Sequence, residues 1–367
     1  MRICICGGGH QGHISAGVIG SKKDCQIDIL TRHPEKWSHN FTTFDLDGRE
    51  YHACLGVITD KPEEVIPFAD IVYICVPGDA VPSVLDNIKP FLNSDSIIGS
   101  PFGGSGFFLQ AFEILGFNIK AFALQRVPYT GRTREYGHSA TLQGYKPYLK
   151  VACYNIPDPD SLAKTIEGWY STPTSVMSHF LDATLSNSNP LLHPCRLYVL
   201  FKDCPPEKIY NRIPYLYRDE WDEESSELWL ACDGELSKIM SKLPMDSSEV
   251  PSVLEYYGVK DMKSLTHKMQ NIVPFWTLMA PMIEVEGGYK IDPSVRSFTE
   301  DIPFGMLMIK AFAELVDVET PNIDKVIYWA QDIMGRKFIE DGKILQESLT
   351  GPLSFLSKDN LSKAIGI

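Results

Sequence analysis

Apolar residues at the start of the chain fall into short continuous runs that alternate with segments of helical spacing. The opening run RICIC is typical of a buried strand, and the glycine-rich segment GGGHQGHISAGVIG that follows leads into a helical pattern. A second apolar run, QIDIL, comes directly after it. The pattern therefore predicts a strand–helix–strand unit at the beginning of the chain.

The same alternation continues with one interruption. The segment FTTFDLDGREYHACL alternates apolar and polar residues around an Asp-Gly turn, which predicts an inserted hairpin. The run DIVYICVP is typical of a strand covered on both faces, and further strand candidates lie in SIIGSPFGG and IKAFALQRVP. Strands alternating with helices predict an α/β fold with a doubly wound sheet of the Rossmann type.

The character of the sequence changes near residue 157. Strand-like runs become rare beyond this point, and amphipathic stretches such as DEESSELWLACDGELSKIMSKL and NIDKVIYWAQDIMG dominate. A length of 367 residues also exceeds what one hydrophobic core usually supports. We therefore expect two domains, residues 1–156 with the dinucleotide-binding fold and residues 157–367 with an all-helical fold.

Charge and composition exclude several classes of partner. The chain has 34 Lys and Arg against 47 Asp and Glu, so its formal charge of −13 disfavours nucleic acid and anionic membranes. No apolar run approaches the roughly 20 residues of a bilayer span, and the expected location is cytoplasmic. The nine cysteines lack CxxC spacing, so we interpret them as core residues and expect no metal site.

The first turn carries a nucleotide-binding pattern. Gly7, Gly9 and Gly12 have GxGxxG spacing between a strand and a helix, with His10 and Gln11 inside the motif. The glycines permit a tight turn, close approach of a pyrophosphate and close packing of the helix on the strand. The pyrophosphate would then bind at the N-terminus of the helix. The sequence predicts a dinucleotide cofactor here.

The end of the second strand bears on the choice of cofactor. An acidic residue that holds the ribose hydroxyls of NAD is expected there, but the chain has Thr31 followed by Arg32. A guanidinium suits a 2′-phosphate, so the sequence favours NADP over NAD, although Arg32 can also be read as a solvated loop residue. Val76 and Pro77 end another strand at the edge where the cofactor should cross.

Candidate catalytic groups lie in the second half. His193 stands between Pro190 and Pro194, in what we interpret as a loop, and a histidine can transfer protons during hydride chemistry. Further on, Arg296 and Asp301 precede an apolar helical pattern. Asp301 is compatible with a simple helix cap, but a carboxylate could also orient His193, while Arg296 could bind a substrate carboxylate. The spacing alone does not establish that these segments meet.

The glycine turn, the segment NPLLHP and the segment RSFTEDIPFG, in this order, resemble the octopine/nopaline (opine) dehydrogenase family over essentially the whole chain. The resemblance implies a nicotinamide-dependent enzyme that reductively condenses the amine of an amino acid with an α-keto acid through an imine. It also implies that His193 is the catalytic acid and base, that Asp301 polarises it and that Arg296 binds a substrate carboxylate. Several family members have an acidic residue near position 32 and use NADH, so Arg32 is a departure.

Two other interpretations remain open from the sequence. One is a simple keto-acid reductase of the ketopantoate reductase or glycerol-3-phosphate dehydrogenase type, which relies on a lysine; Lys238 and Lys242 lack the matching context. The other is a cofactor-binding protein without catalysis. The sequence does not identify the amino acid, the keto acid, the physiological direction or the oligomeric state, for which a homodimer is one option.

Overall fold

The computed structural model describes residues 1–366, and the chain divides into two units, Met1–Leu185 and Ser186–Ile367. The sequence-based division after residue 156 lies earlier than this boundary. Residues beyond 156 remain with unit 1 because one further strand, Thr174–Val176, pairs in parallel with the strand Leu149–Tyr154. The short length of that strand explains why its pattern is weak in the sequence.

Unit 1 is built on an eight-stranded sheet in the order β12-β11-β8-β7-β6-β1-β2-β5. Its strands are parallel except that β11 runs antiparallel to β8. The strands of unit 1 are β1 (Arg2–Cys6), β2 (Gln26–Leu30), β3 (Asn40–Asp45), β4 (Glu50–Cys54), β5 (Ile58–Thr59), β6 (Ile71–Ile74), β7 (Ile97–Ser100), β8 (Lys120–Leu124), β9 (Tyr129–Glu135), β10 (Ser139–Tyr145), β11 (Leu149–Tyr154) and β12 (Thr174–Val176).

A second, four-stranded sheet has the order β4-β3-β10-β9. Strands β3 and β4 pair antiparallel, which confirms the predicted hairpin. Strands β9 and β10 form a second hairpin that the sequence did not reveal. The β9 sequence, YTGRTRE, is largely polar and contains a glycine, so it lacks the apolar pattern of a buried strand.

One helix packs against both sheets of unit 1. The helices are α1 (His10–Gly20), α2 (Val81–Ile88), α3 (Phe107–Leu115), α4 (Pro159–Tyr170) and α5 (Phe180–Leu185). Helix α1 contacts β1 and β2 of the eight-stranded sheet and all four strands of the second sheet, β3, β4, β9 and β10. Accordingly every residue from Gly12 to Ile19 is buried. The start of α1 is thus held rigidly by surrounding structure.

Unit 2 is predominantly helical and contains two short two-stranded hairpins. Its elements are α6 (Asn189–Phe201), α7 (Glu223–Met240), α8 (Val253–Tyr257), α9 (Met262–Gln270), β13 (Met282–Val285), β14 (Gly288–Ile291), α10 (Arg296–Thr299), a π-helical turn (Asp301–Met306), α11 (Leu307–Leu315), α12 (Pro321–Met334), β15 (Ile339–Glu340), β16 (Lys343–Ile344) and α13 (Lys358–Ile365). A Rossmann-type domain followed by a helical domain confirms the predicted fold class. Across residues 1–366 no helix is both long and apolar enough to cross a membrane.

Candidate active site

The glycine turn joins β1 to α1 in a conformation that requires its glycines. Gly7 has φ +125°, a region that side chains disfavour, and a Cβ there would lie 2.5 Å from the carbonyl oxygen of Cys75. A Cβ on Gly12 would lie 2.0 Å from the carbonyl oxygen of Gly7. These contacts bring the helix against the strand, as the motif predicts.

The N-terminus of α1 is open to a ligand. Gly9 is the N-cap residue, and no side chain caps the helix at this end. A Cβ on Gly9 would meet nothing within 4 Å, so the backbone is approachable from that side. The N–H groups of the first helical turn, together with the helix dipole, favour an anion here. The turn therefore fits the pyrophosphate of a dinucleotide.

A cleft of about 670 Å³ opens over this turn within unit 1. Among the residues predicted from the sequence, it is lined by Gly7, Gly9, Thr31, Arg32, Val76 and Pro77. Gly12 packs beneath the turn. The other two predicted residues, His10 and Gln11, do not line the cleft and form hydrogen bonds to β9. The Nδ1 atom of His10 accepts the backbone N–H of Thr133 at 3.1 Å, and the carbonyl oxygen of Gln11 accepts the Tyr129 hydroxyl at 2.9 Å.

Sequence reasoning missed several polar residues of the cleft, among them Asp60 and Tyr136; the others are Asp79, Ser83 and Asn87. Asp60 directly follows β5, which pairs with β2, so both strands end at the same edge of the sheet. A strand of two residues, one of them a threonine, gives almost no sequence signal. Tyr136 lies in the turn between β9 and β10, beside Gly137, in the hairpin that the sequence did not reveal.

The acidic residue of β2 is committed to the structure of the domain. Asp28 is fully buried, accepts the Nε–H of Arg2 at 2.5 Å and accepts the backbone N–H of Val57 at 2.7 Å. Its carboxylate therefore joins β2 to neighbouring segments. Arg32, by contrast, is exposed in the cleft at the end of β2.

In unit 2, the predicted histidine and aspartate are in direct contact. The Nδ1 atom of His193, on α6, lies 2.8 Å from Oδ2 of Asp301, the first residue of the π-helical turn. The side chains are 29% and 13% exposed, so the pair is sheltered but reachable from solvent. With Nδ1–H donating to the carboxylate, Nε2 is the ring nitrogen left for a substrate.

His193 lies in a helix, so our interpretation of its segment as a loop is wrong. Helix α6 begins at Asn189, which puts Pro190 in the first turn, where a missing N–H costs little. Pro194 is tolerated inside the helix at the loss of one backbone hydrogen bond. Pro190 therefore marks the beginning of the helix, and His193 lies in its second turn.

Asp301 belongs to a π-helical turn between α10 and α11. Such turns carry an extra residue, which redirects side chains and is common at functional sites. The turn packs tightly on α6, because a Cβ on Gly305 would lie 2.5 Å from Cβ of Pro190. No side chain caps α11, so Asp301 does not have the capping role that the sequence left open.

Arg296 is paired with a neighbour on its own helical turn. Its Nε and Nη2 atoms donate to Oε2 of Glu300 at 3.0 and 2.7 Å. The Arg296 side chain is 78% exposed, whereas that of Glu300 is 12% exposed, so the acid holds one edge of the guanidinium near the protein surface. The remaining N–H groups of the guanidinium point elsewhere and are available to a carboxylate.

A buried arginine one turn after His193 fixes α6 and was missed by the sequence reasoning. Arg196 is 1% exposed and donates to the carbonyl oxygens of Leu216 at 2.7 Å and Glu220 at 2.6 Å, and to the Ser225 hydroxyl at 2.9 Å. Burial lowers the pKa of its guanidinium, and nearby Asp222 and Glu220 partly oppose this effect. These bonds tie α6 to the segment before α7 and to the first turn of α7.

Comparisons with known proteins identify a family and relatives that this chain resembles. Residues 176–334 match the family model described as NAD/NADP octopine/nopaline dehydrogenase, alpha-helical domain. The chain is 28% identical to octopine dehydrogenase of Mizuhopecten yessoensis, covering 94% of this chain and 92% of that protein. It is 26% identical to tauropine dehydrogenase of Arabella iricolor, covering 95% of each.

Solved structures show the same fold. Octopine dehydrogenase in complex with NADH and agmatine is similar with a TM-score of 0.87 and 25% identity, covering 100% of this chain and 98% of that one. NADP⁺-bound yersinopine dehydrogenase has a TM-score of 0.71 with 14% identity and covers 99% of each chain, which is a likeness of fold alone.

Proposed function

Because the chain belongs to the octopine/nopaline dehydrogenase family, we propose that it is an NAD(P)H-dependent opine dehydrogenase, which joins the amine of an amino acid to an α-keto acid through an imine and reduces it. The relatives named octopine, opine and tauropine dehydrogenase support this reaction class. The single observation that carries the proposal is the hydrogen bond between His193 and Asp301, two residues 108 positions apart.

His193 and Asp301 can manage the protons of the condensation. The attack of an amine on a keto carbon requires loss of a proton from nitrogen, and the loss of water from the resulting carbinolamine requires a proton on oxygen. The Nε2 atom of His193 takes the nitrogen proton and returns it to the former keto oxygen, which gives the neutral carbinolamine. A second proton, taken up from solvent at the same Nε2 atom, lets the hydroxyl group leave as water and leaves a protonated imine. Asp301 holds the ring by Nδ1 and stabilises the imidazolium formed between these two steps.

Arg296 is proposed to bind the carboxylate of the keto acid. Glu300 already holds one edge of its guanidinium, which limits the conformations of a long and otherwise exposed side chain. A guanidinium restrained in this way loses less entropy when it binds a carboxylate through its other N–H groups. The product of the reaction would be a secondary amine that carries the carboxylates of its precursors.

The cofactor is proposed to bind over the glycine turn of unit 1. The open N-terminus of α1 and the backbone of Gly9 would hold the pyrophosphate, and Val76 and Pro77 would line its path along the sheet edge. When bound, the reduced nicotinamide supplies the hydride that reduces the imine carbon.

We further propose that NADPH is preferred to NADH, although NADH remains compatible with the fold. Arg32 lines the cleft and is exposed, so its guanidinium can bind a 2′-phosphate. Asp28 is unavailable to the ribose because it is buried against Arg2. Asp60 lies in the same cleft, and its carboxylate repels a phosphate and so opposes this preference. The preference therefore depends on the opposing charges of Arg32 and Asp60, and substitution of each residue measures its effect on coenzyme binding.

The contacts of Lys242 offer no support for the alternative of a simple keto-acid reductase. Lys242 donates to the carbonyl oxygens of Val316 and Asp317 at 3.0 and 2.9 Å, so it satisfies the backbone at the end of α11. This is a structural task that occupies two of the three N–H groups of the ammonium.

The reaction is tested by following NADPH and NADH oxidation by absorbance with a pool of amino acids and pyruvate or another α-keto acid, omitting each component in turn. Oxidation that requires both the amine and the keto acid is expected. Oxidation with the keto acid alone would assign a simple reductase, and the absence of oxidation with every pair would leave only cofactor binding. His193→Ala should abolish the coupled reaction, and normal turnover by this variant would contradict the assigned role.

A further inference from the structure

The turn between β9 and β10 reaches over the glycine turn of unit 1. Tyr136 lies in this turn and lines the same cleft. A Cβ built on Gly8 would lie 2.5 Å from the Tyr136 hydroxyl oxygen and 3.0 Å from Oγ1 of Thr31. The Tyr136 hydroxyl therefore stands between the glycine turn and the end of β2.

The same hairpin turn is fastened to the start of α1 by a buried histidine. The ring of His13 uses both nitrogens: Nδ1–H donates to the carbonyl oxygen of Gly9 at 2.9 Å, and Nε2 accepts the backbone N–H of Gly137 at 2.7 Å. Gly9 is the N-cap of α1, and Gly137 directly follows Tyr136. One imidazole thus links the pyrophosphate turn to the hairpin turn that carries the tyrosine.

Aromatic packing completes this link. The His13 ring lies 4.3 Å from that of Trp37 and 4.9 Å from that of Tyr136, measured between ring centroids. Gly137 has φ +74°, and a Cβ there would lie 2.0 Å from the carbonyl oxygen of Lys36, so the hairpin turn is also pressed against the segment after β2. Burial lowers the pKa of His13 from 6.5 to about 4, so the ring is neutral near pH 7 and can serve as donor and acceptor at once.

We propose that Tyr136 is a coenzyme-binding residue whose hydroxyl donates a hydrogen bond to the pyrophosphate of the nicotinamide dinucleotide, and that His13 is the positioning residue that holds it there. The inference rests on the proposed function, because it concerns the cofactor of that reaction. In this proposal the second sheet takes part in coenzyme binding, because its β9–β10 turn supplies a phosphate contact in addition to those of the glycine motif. Since both coenzymes share the pyrophosphate, the contact serves NADH and NADPH alike.

The tyrosine is tested by titrating the full-length protein with NADH and with NADPH and following nicotinamide fluorescence. Tyr136→Phe should raise the Kd for both coenzymes about tenfold, because a hydrogen bond to a charged oxygen is lost. Tyr148→Phe is the matched control, since Tyr148 is 61% exposed and does not line the cleft. An unchanged Kd for both coenzymes would overturn the proposal. A rise for NADPH alone would also overturn it, because the hydroxyl would then bind the 2′-phosphate.

The histidine is tested by a double-mutant cycle. His13→Asn keeps a donor near Gly9 but is too short to accept from Gly137, so it should raise both Kd values, whereas His13→Gln retains an acceptor with the longer reach and should restore part of the affinity. In the Tyr136→Phe background His13→Asn should have little further effect, because both changes remove the same contact. An equal effect in both backgrounds, or one explained by loss of folding in circular dichroism, would overturn the positioning role.

These titrations need no turnover. If the Tyr136 effect is present while no pair of substrates is converted, the inference stands and the proposed reaction fails. If coupled turnover is present while Tyr136→Phe binds both coenzymes normally, the reaction stands and the inference fails.

Discussion

Gly305 packs against Pro190 with no room for a side chain, since a Cβ on Gly305 would lie 2.5 Å from both Cβ and Cγ of the proline. Pro190 is one turn before His193 on α6, and Gly305 is one turn after Asp301. The glycine–proline contact therefore sets the distance at which α6 and the π-helical turn present the catalytic pair.

Gly305→Ala should separate the π-helical turn from α6 and lengthen the His193–Asp301 hydrogen bond. We expect a loss of about 1–3 kcal/mol in the free energy of unfolding from overpacking. We also expect kcat to fall roughly tenfold or more, because catalytic geometry tolerates little displacement. Urea unfolding and steady-state kinetics measure the two effects.

Gly234→Ala is the matched control, because Gly234 lies inside α7 and a Cβ there would meet nothing within 4 Å. Helix propensity predicts that this change stabilises the protein by about 0.5–1 kcal/mol and leaves kcat unchanged. Wild-type kcat in Gly305→Ala would show that the contact does not set the geometry of the pair.

Asp301→Asn preserves the shape of the pair and removes the charge. The amide can still contact Nδ1 of His193 but does not stabilise an imidazolium, so kcat should fall roughly 100-fold while the Kd for the coenzyme stays unchanged. Asp292→Asn is a suitable control, since the Asp292 carboxylate accepts the backbone N–H and the hydroxyl of Ser294 in the turn before α10 and contacts neither member of the catalytic pair. A Asp301→Asn variant with normal kcat would remove the carboxylate from the mechanism.

Arg296→Gln should raise the KM for the keto acid and leave the Kd for the coenzyme unchanged, because the guanidinium is proposed to bind the substrate carboxylate and not the coenzyme. Glu300→Gln should raise the same KM by a smaller factor, since it releases the guanidinium from its hydrogen bonds without removing it. Arg212→Gln, at an exposed arginine paired with Glu220, provides the comparison. Equal KM values for the Arg296 and Arg212 variants would contradict a substrate role.

Arg32 and Asp60 carry opposite charges in the cofactor cleft, so their substitution should change the Kd for NADPH in opposite directions. Arg32→Ala should raise the Kd for NADPH roughly 10- to 100-fold and leave that for NADH nearly unchanged, because only NADPH carries the 2′-phosphate. Asp60→Asn should lower the Kd for NADPH a few-fold by removing a repulsion. Fluorescence titration of each variant decides both, and an unchanged ratio of the two Kd values in Arg32→Ala would exclude Arg32 as the determinant of coenzyme choice.

The parts of the fold that the sequence revealed are those with strong local patterns. β1, α1 and β2 follow from apolar runs and glycine spacing, and the β3–β4 hairpin follows from alternating apolar and polar residues around an Asp-Gly turn. These elements are specified by residues close together in the sequence, so periodicity alone identifies them. The strands β9 and β12 lack such a pattern because one is polar and the other has three residues.

The candidate site shows the same limit. Residue types and a family resemblance predicted His193 and Asp301 as a pair, but their contact depends on a π-helical turn and on the packing of Gly305 against Pro190, which no local pattern indicates. The prolines beside His193 favoured a loop, yet tertiary packing placed them in a helix. Tyr136 and Asp60 were missed because they follow β9 and β5, whose sequence patterns are too weak to predict a strand.

The pKa of His13 makes a prediction about stability. Burial lowers this pKa from 6.5 to about 4, against a smaller opposing effect of the hydrogen bond to Gly9. The unfolded chain therefore takes up a proton on this ring below about pH 6.5, while the folded protein does so only near pH 4. The free energy of unfolding should fall as the pH drops through this window and level off below it.

The size of the effect follows from the difference between 6.5 and about 4, which corresponds to on the order of 3 kcal/mol. Urea unfolding should show a lower free energy of unfolding at pH 5 than at pH 7 in the wild-type protein. The difference should be smaller in His13→Gln, whose side chain does not titrate. Burial also lowers the pKa of His179, so His179→Gln is the control for a second, smaller contribution. If His13→Gln retains the full wild-type loss between pH 7 and pH 5, protonation of the buried ring is not the source of that loss.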